Sequence, residues 1–164
     1  MLAVDSNILA YLLIEGPRTV DARTLFGLDP DWHVDEFALV ELSNILATAV
    51  RVGQLDLGRA EAALSEAQSV VEDARHGVTH AEALALAERY RVTAYDARHL
   101  GVALALGVPL ITEDRQLRKA APALTRSLAA ANGARLDLKS RPGRGVRARI
   151  VFAGDRTSRT AGRA

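Results

Sequence analysis

An α/β fold, a three-layer sandwich around a central and mostly parallel sheet, is predicted by three observations. Short apolar runs alternate with stretches of helical periodicity, two of those runs end directly in an acidic residue, and turn residues stand between the segments. At 164 residues the chain has room for one domain with a real core and an appendage.

The first element is Leu2-Ala3-Val4, a short strand followed at once by Asp5-Ser6. Ile8, Leu9, Leu12 and Leu13 then recur at helical spacing, and Gly16-Pro17 stops the helix. Val20 to Phe26 fits a second short helix and Trp32 to Val34 a brief strand. Asp35 is placed to cap a helix from about Glu36 to Val52, with Val34 and Leu39 as a hydrophobic staple, and Gly53 ends it. Ala60, Ala63, Leu64 and Ala67 mark a further helix, while Val70-Val71 reads as a strand or as that helix's end. Thr79 caps a helix carrying Ala83, Leu84, Leu86 and Ala87. Residues 95–106 form another, closed by Gly107, and Val108 to Thr112 reads as a strand running into Glu113-Asp114.

The tail has a different pattern. ARLDLKSR and VRARIVF alternate around a Pro-Gly-containing turn, a hairpin signature spanning 134–152. Ala134, Leu136 and Leu138 would share a face with Val146, Ala148, Ile150 and Phe152, leaving Arg135, Lys139, Arg147 and Arg149 on the other. Beyond Gly154 the composition predicts disorder. Residues 1–128 therefore form the expected domain and 129–164 a basic tail.

Charge divides the chain in the same way. The net charge of +1 combines residues 1–126, with 12 Arg or Lys against 18 Asp or Glu, and residues 127–164, with 9 against 2. Hydrophobic residues make up 49% and charged ones 25%, as in a soluble globular protein. The absence of cysteine excludes disulfides and thiolate metal sites and fits a reducing compartment. The apolar N-terminus has no basic lead, carries Asp5 inside the run and shows no cleavage site, so it reads as core and not as a signal peptide. No stretch reaches the ~18 apolar residues of a membrane span. A cytoplasmic protein is expected.

Ligands of open α/β sheets collect at the carboxyl ends of strands. Asp5 follows one strand and Asp114 another, so two parallel strands would bring like charges together, which raises a pKa or calls for a cation. Each alone could simply cap a helix. Glu41 lies in the row Phe37, Glu41, Ile45, beside Leu42 and Leu46, where a carboxylate is costly unless its head reaches water or a partner. Asp96 opens a helix rich in Ala, Leu and Val, where a first-turn acid also suits the helix dipole. Together the acids favour a hard divalent cation held by oxygen ligands and water. Asp5 and Asp96 are the expected direct ligands, with Glu41 and Asp114 completing the shell, binding a second ion or orienting water. The histidines show no metal-ligand spacing. His99 shares a helix with Asp96 and could touch substrate, but is expected at the surface. Trp32 is expected in the core, and Arg98, Arg115 and Arg118 on the surface or against phosphates.

DSNILAYLL from Asp5, VELSNIL at 40–46, YDARHLGVALALG at 95–107 and LITEDRQL at 110–117 resemble, in order, the four signature blocks of PIN-domain ribonucleases, most of all the VapC toxins of toxin–antitoxin pairs. The resemblance covers about residues 1–128 and implies the fold predicted above. It places Asp5, Glu41, Asp96 and Asp114 on the family's acidic quartet, with Ser6, Asn7 and Thr112 as its polar companions. It implies Mg²⁺ or Mn²⁺, endonucleolytic cleavage of RNA, a cognate antitoxin protein that masks the site, and a homodimer. Residues 130–152 instead resemble the closing stretch of a histidine-kinase-type ATPase domain, without the upstream boxes that hold nucleotide. This tail is read as a fused remnant, or as a basic arm engaging RNA phosphates.

Other readings of the acids fit less well. A haloacid-dehalogenase-type phosphatase has a second acid two positions after the first, where this chain has Asn7. A receiver domain needs a lysine on a late strand, and Lys119 and Lys139 are not so placed. No GxGxxG follows Val4, against a dinucleotide site. A PIN-like domain that binds RNA or protein without cutting is the alternative to an enzyme.

Overall fold

The computed structural model describes residues 1–133 and the backbone of two strands, 135–141 and 145–151. The elements run β1 (Leu2–Val4), α1 (Ser6–Leu13), α2 (Thr19–Leu28), β2 (Trp32–Asp35), α3 (Ala38–Arg51), α4 (Leu57–Val70), β3 (Arg75–His76), α5 (His80–Tyr90), α6 (Ala94–Leu106), β4 (Leu110–Ile111), α7 (Arg115–Ala120), β5 (Thr125–Arg126), α8 (Leu128–Asn132), β6 (Arg135–Arg141) and β7 (Gly145–Val151).

Five strands form one sheet in the order β3-β2-β1-β4-β5. Every pairing is parallel, so the sheet is wholly and not merely mostly so. Ala3 of β1 stands opposite His33 of β2 on one side and Leu110 of β4 on the other. Parallel sheets are buried on both faces, which is why β1 reads as an unbroken apolar run. Leu2 and Val4 pack with Ile8, Leu9, Ala22 and Leu25 of α1 and α2. Ala3 turns the other way, towards Leu100 and Ala103 of α6 and Ala83 of α5. These two clusters are the outer joints of the three layers. Each fully buried Leu or Ile in them contributes about 1.5–3 kcal/mol relative to exposure. A third cluster, Ala10, Leu42, Leu46, Ala60, Ala63 and Ala67, fixes α3 and α4 against α1. Trp32 is in the core as expected, edge-on to Phe26 with ring centroids 5.1 Å apart.

The ends of several helices match their sequence signals. Thr79 and Glu82 form a reciprocal capping box on α5, and Gly107, at φ 65°, closes α6 in the left-handed conformation that glycine adopts without strain. Gly101 inside α6 answers a different need. A Cβ there would lie 2.9 Å from both methyls of Val78, so glycine allows the helix to approach the segment before α5.

Other expectations are corrected. Asp35 does not cap α3. It ends β2, and the residue before α3 is Phe37, which makes no side-chain cap. Of the two readings open for Val70 and Val71, the structure takes the helix end: they close α4. The strand after α4 is Arg75–His76, whose polar residues gave no strand signal. β5, α7 and α8 were likewise without an assignment, and α8 adds Leu128 and Ala131 to the core. The tail segments pair antiparallel, with Leu136 opposite Ile150 and Leu138 opposite Ala148. Ala134, Phe152 and the stretch after Gly154 lie outside the described residues. Among the described residues no helix is long and apolar enough to cross a membrane.

Candidate functional site

The sheet's carboxyl edge opens into a cleft of about 320 Å³ lined by Asp5, Ser6, Glu41, Asp96, His99 and Asp114, with Asn7, Val40, Asn44, Ile45 and Leu117 around them. All four acids singled out in the sequence thus reach one cleft, carried there by four separate parts of the chain.

Asp5 follows β1 and caps α1, its Oδ1 accepting the Ile8 amide hydrogen at 2.9 Å. Its Oδ2 accepts the hydroxyl of Thr112, just past β4. Thr112 in turn accepts the amide of Asp114 at 3.0 Å, so one buried hydroxyl ties the ends of β1 and β4 together. Asp114 caps α7 through Oδ1, which accepts the Leu117 amide at 2.7 Å. Asp96 sits in the first turn of α6, where Thr93 accepts its amide at 3.1 Å and donates its hydroxyl to Oδ2 at 2.7 Å. The capping reading and the cleft reading of Asp5 and Asp114 are therefore both true, because each carboxylate has two oxygens.

Glu41 projects from α3 and is about one-third exposed, neither sealed in the apolar stripe nor free in water. Its Oε2 accepts the Ser6 hydroxyl and, at 3.0 Å, the Nε2 of His99. His99 is not at the surface: only 6% is exposed, and it lies between the acids. Arg98 also departs from expectation. It is buried, with Nε 2.7 Å from Asp35 Oδ1 and Nη2 3.2 Å from Glu36 Oε1, and its guanidinium lies 4.2 Å above the Phe37 ring. It is therefore bound within the fold, while Arg115 is exposed and Arg118 lies near Glu113. The sequence offered one cue for His99, its position a turn beyond Asp96 in an apolar helix. It offered none for the Arg98 pairing.

The electrostatics follow from burial. Desolvation pushes the Asp5 carboxyl above its ordinary pKa, and the charge of His99 and the hydrogen bonds from Thr112 and Ile8 only partly oppose this. Burial would raise Glu41 too, but His99, Ser6 and Arg98 outweigh it and hold that carboxyl below its ordinary range. Burial would lower His99, yet the hydrogen bond to Glu41 and the charges of Asp5, Glu41 and Asp35 raise it.

This donor set suits a hard cation. Carboxylates and hydroxyls supply the oxygens, there is no thiolate, and Asp5 remains under-compensated by its protein neighbours. Among the described residues no three His, Asp or Glu side chains are arranged to hold an ion by themselves.

The comparisons with known proteins agree with this architecture. The family model for the PIN domain matches residues 2–122. Ribonuclease VapC3 of Pyrobaculum aerophilum is 31% identical over 126 residues, 75% of this chain and 96% of that protein. The crystal structure of PAE2754 from Pyrobaculum aerophilum superposes with a TM-score of 0.65 at 21% identity, covering 80% of this chain and 85% of the other. The strand order, the cleft at the sheet's carboxyl edge and the length of the family match together establish that this chain belongs to the PIN-domain family.

Proposed function

We propose that this protein is a metal-dependent endoribonuclease, the toxin of a type II toxin–antitoxin pair, which hydrolyses RNA phosphodiester bonds. The observation that carries the reading is the convergence of Asp5, Glu41, Asp96 and Asp114 on one cleft, in a chain 31% identical over 126 residues to a protein named as a ribonuclease.

A phosphodiester repels an attacking oxygen by its own negative charge. Mg²⁺, or Mn²⁺ in its place, would neutralise that charge and lower the pKa of a bound water. In this reading Asp5 and Asp96 hold the ion, and Glu41 and Asp114 complete its surroundings or orient water. Ser6 fixes Glu41 and Thr112 fixes Asp5, while Asn7, exposed on the rim, is available to a phosphate. A cognate antitoxin masks the cleft until released, the protein acts as a homodimer, and its place is the cytoplasm.

The decisive experiment compares Asp5→Asn and Asp96→Asn with wild type in cleavage of a labelled RNA with Mg²⁺. Loss of cleavage with an unchanged circular dichroism spectrum is expected from both. Wild-type rates from either would overturn the assignment. A wild-type protein that binds RNA without cutting it would favour the binding-domain alternative.

A further inference from the structure

Glu41 presents a problem that the reading above leaves open. A glutamate carboxylate on three rotatable bonds is a poor ligand unless something fixes it, since binding must otherwise supply the entropy lost in ordering a long side chain. α3 alone does not fix it, because the head is partly exposed at the cleft. Both donors that reach it land on the same oxygen: the Ser6 hydroxyl and His99 Nε2 bond to Oε2, and Oε1 accepts from neither.

His99 is well suited to act as a fixed post. It lies on α6 between Arg98 and Leu100, both buried, and is itself 6% exposed. A carboxylate oxygen can only accept, so Nε2 must carry the hydrogen, and it does so in the neutral ring and in the imidazolium alike. The hydrogen bond therefore does not depend on the ring's charge. Nδ1 is buried and has no hydrogen-bond partner among the described residues, so the imidazole's polar contact is directed to Glu41. Asp96 stands one turn earlier on the same helix. α6 thus supplies one acid of the cleft and, three residues on, the group that locks an acid of α3.

We propose that His99 is a positioning residue: by clamping Oε2 of Glu41 together with Ser6, it presents the other carboxylate oxygen to the divalent cation of the cleft. The inference rests on the metal-dependent reading given above. Residues that orient a ligand in this way change metal affinity about 10–100-fold when lost.

The test uses the full-length, metal-free chain and Mn²⁺ alone as probe, with calorimetry reading the dissociation constant and thermal melting checking the fold. His99→Leu removes the donor, whereas His99→Gln keeps an N–H that can reach Glu41. The leucine variant is expected to bind Mn²⁺ at least about tenfold more weakly, and glutamine to restore most of the affinity. In RNA cleavage at saturating Mn²⁺ the KM for RNA should stay near wild type. Should the leucine variant fail to fold, His99→Asn, whose shorter amide stops short of Glu41, takes its place with the same expectation. A folded leucine or asparagine variant with wild-type affinity, or a glutamine variant as weak as leucine, would overturn the role of His99 while leaving the nuclease reading intact. A wild-type chain that neither binds Mn²⁺ nor cuts RNA overturns both.

Discussion

Arg98 and Asp35 meet inside the molecule, 63 residues apart in sequence, with the guanidinium Nε donating to Oδ1 at 2.7 Å. Asp35 is 1% exposed, and its second oxygen has no hydrogen-bond partner among the described residues. The pair bolts α6 to the end of β2. Removing Arg98 leaves the buried Asp35 charged and without its ion-pair partner, which costs about 3–5 kcal/mol for buried pairs. Arg98→Met is therefore expected to lower the urea midpoint strongly, and a midpoint within experimental error of wild type would show that the pair contributes nothing.

Replacing Gly101 tests the packing of the same helix. In Gly101→Ala the new methyl would sit 2.9 Å from both Val78 methyls, so α6 or the segment before α5 must shift. Overpacking of this kind costs about 1–3 kcal/mol, more than the helix propensity gained from alanine. A lower melting temperature is expected, and an increase would show that the contact relaxes freely.

Asp5→Asn should separate stability from metal binding. Burial disfavours the Asp5 carboxylate, while an asparagine still offers an oxygen to the Ile8 amide and a polar partner to Thr112. Without metal the variant is expected to melt no lower than wild type. With Mg²⁺ at about 100 times its dissociation constant, wild type gains about 2.7 kcal/mol by linkage, and the variant gains none. Equal Mg²⁺-dependent shifts in scanning calorimetry would remove Asp5 from the ion's ligands.

The metal-free protein should be most stable in mildly acidic solution. Glu41 has its pKa lowered, so its contribution is present above the ordinary 4.5 and is lost as pH falls through the depressed value. His99 has its pKa raised, so its contribution is complete below the ordinary 6.5 and is lost as pH rises through the elevated value. Asp5, also raised, erodes stability as it ionises above its ordinary 3.8. Denaturant midpoints measured against pH should therefore fall on the alkaline side, and His99→Gln should flatten that limb. An unchanged alkaline limb in the variant would show that His99 titrates alike folded and unfolded.

Truncation tests the tail, and the fold sets where to cut. α8 packs Leu128 and Ala131 into the core, and Asn132 bonds the Asp21 carbonyl at 3.0 Å, so a cut after Leu128 would injure the domain. Ending the chain after Gly133 is expected to leave the melting temperature and RNA cleavage unchanged. A weaker RNA affinity with a shallower salt dependence would instead identify the tail as a phosphate-binding arm, since each cation lost removes about 0.7 from the slope on single strands.

Much of the cleft was legible because its acids break local rules. A carboxylate at the end of an apolar strand or inside a helix stripe is conspicuous in a one-dimensional pattern, and Asp5, Glu41 and Asp114 are of that kind. The pairings of Arg98 and His99 were not legible, because their partners lie 63 and 58 residues away and α6 is buried over so wide an arc that polar residues enter the interior. The two-residue strands β3 and β5 carry no alternation to detect; they are strands only because neighbours pair with them. Asp35 read as a cap for the same reason, since nothing nearby in sequence announces an arginine.

Asp5 and Asp114 each spend one oxygen on a helix end, and this shapes how such a protein could decay in a lineage that no longer needs it. If both acids serve the proposed cleavage, alanine at either position would discard the chemistry and unfasten a helix at once, so the damage would fall on the whole fold. Asparagine would silence the chemistry and keep the fastening. Inactive descendants should therefore drift towards amides at these two places, leaving a quiet but intact copy still able to compete for whatever grips the working one.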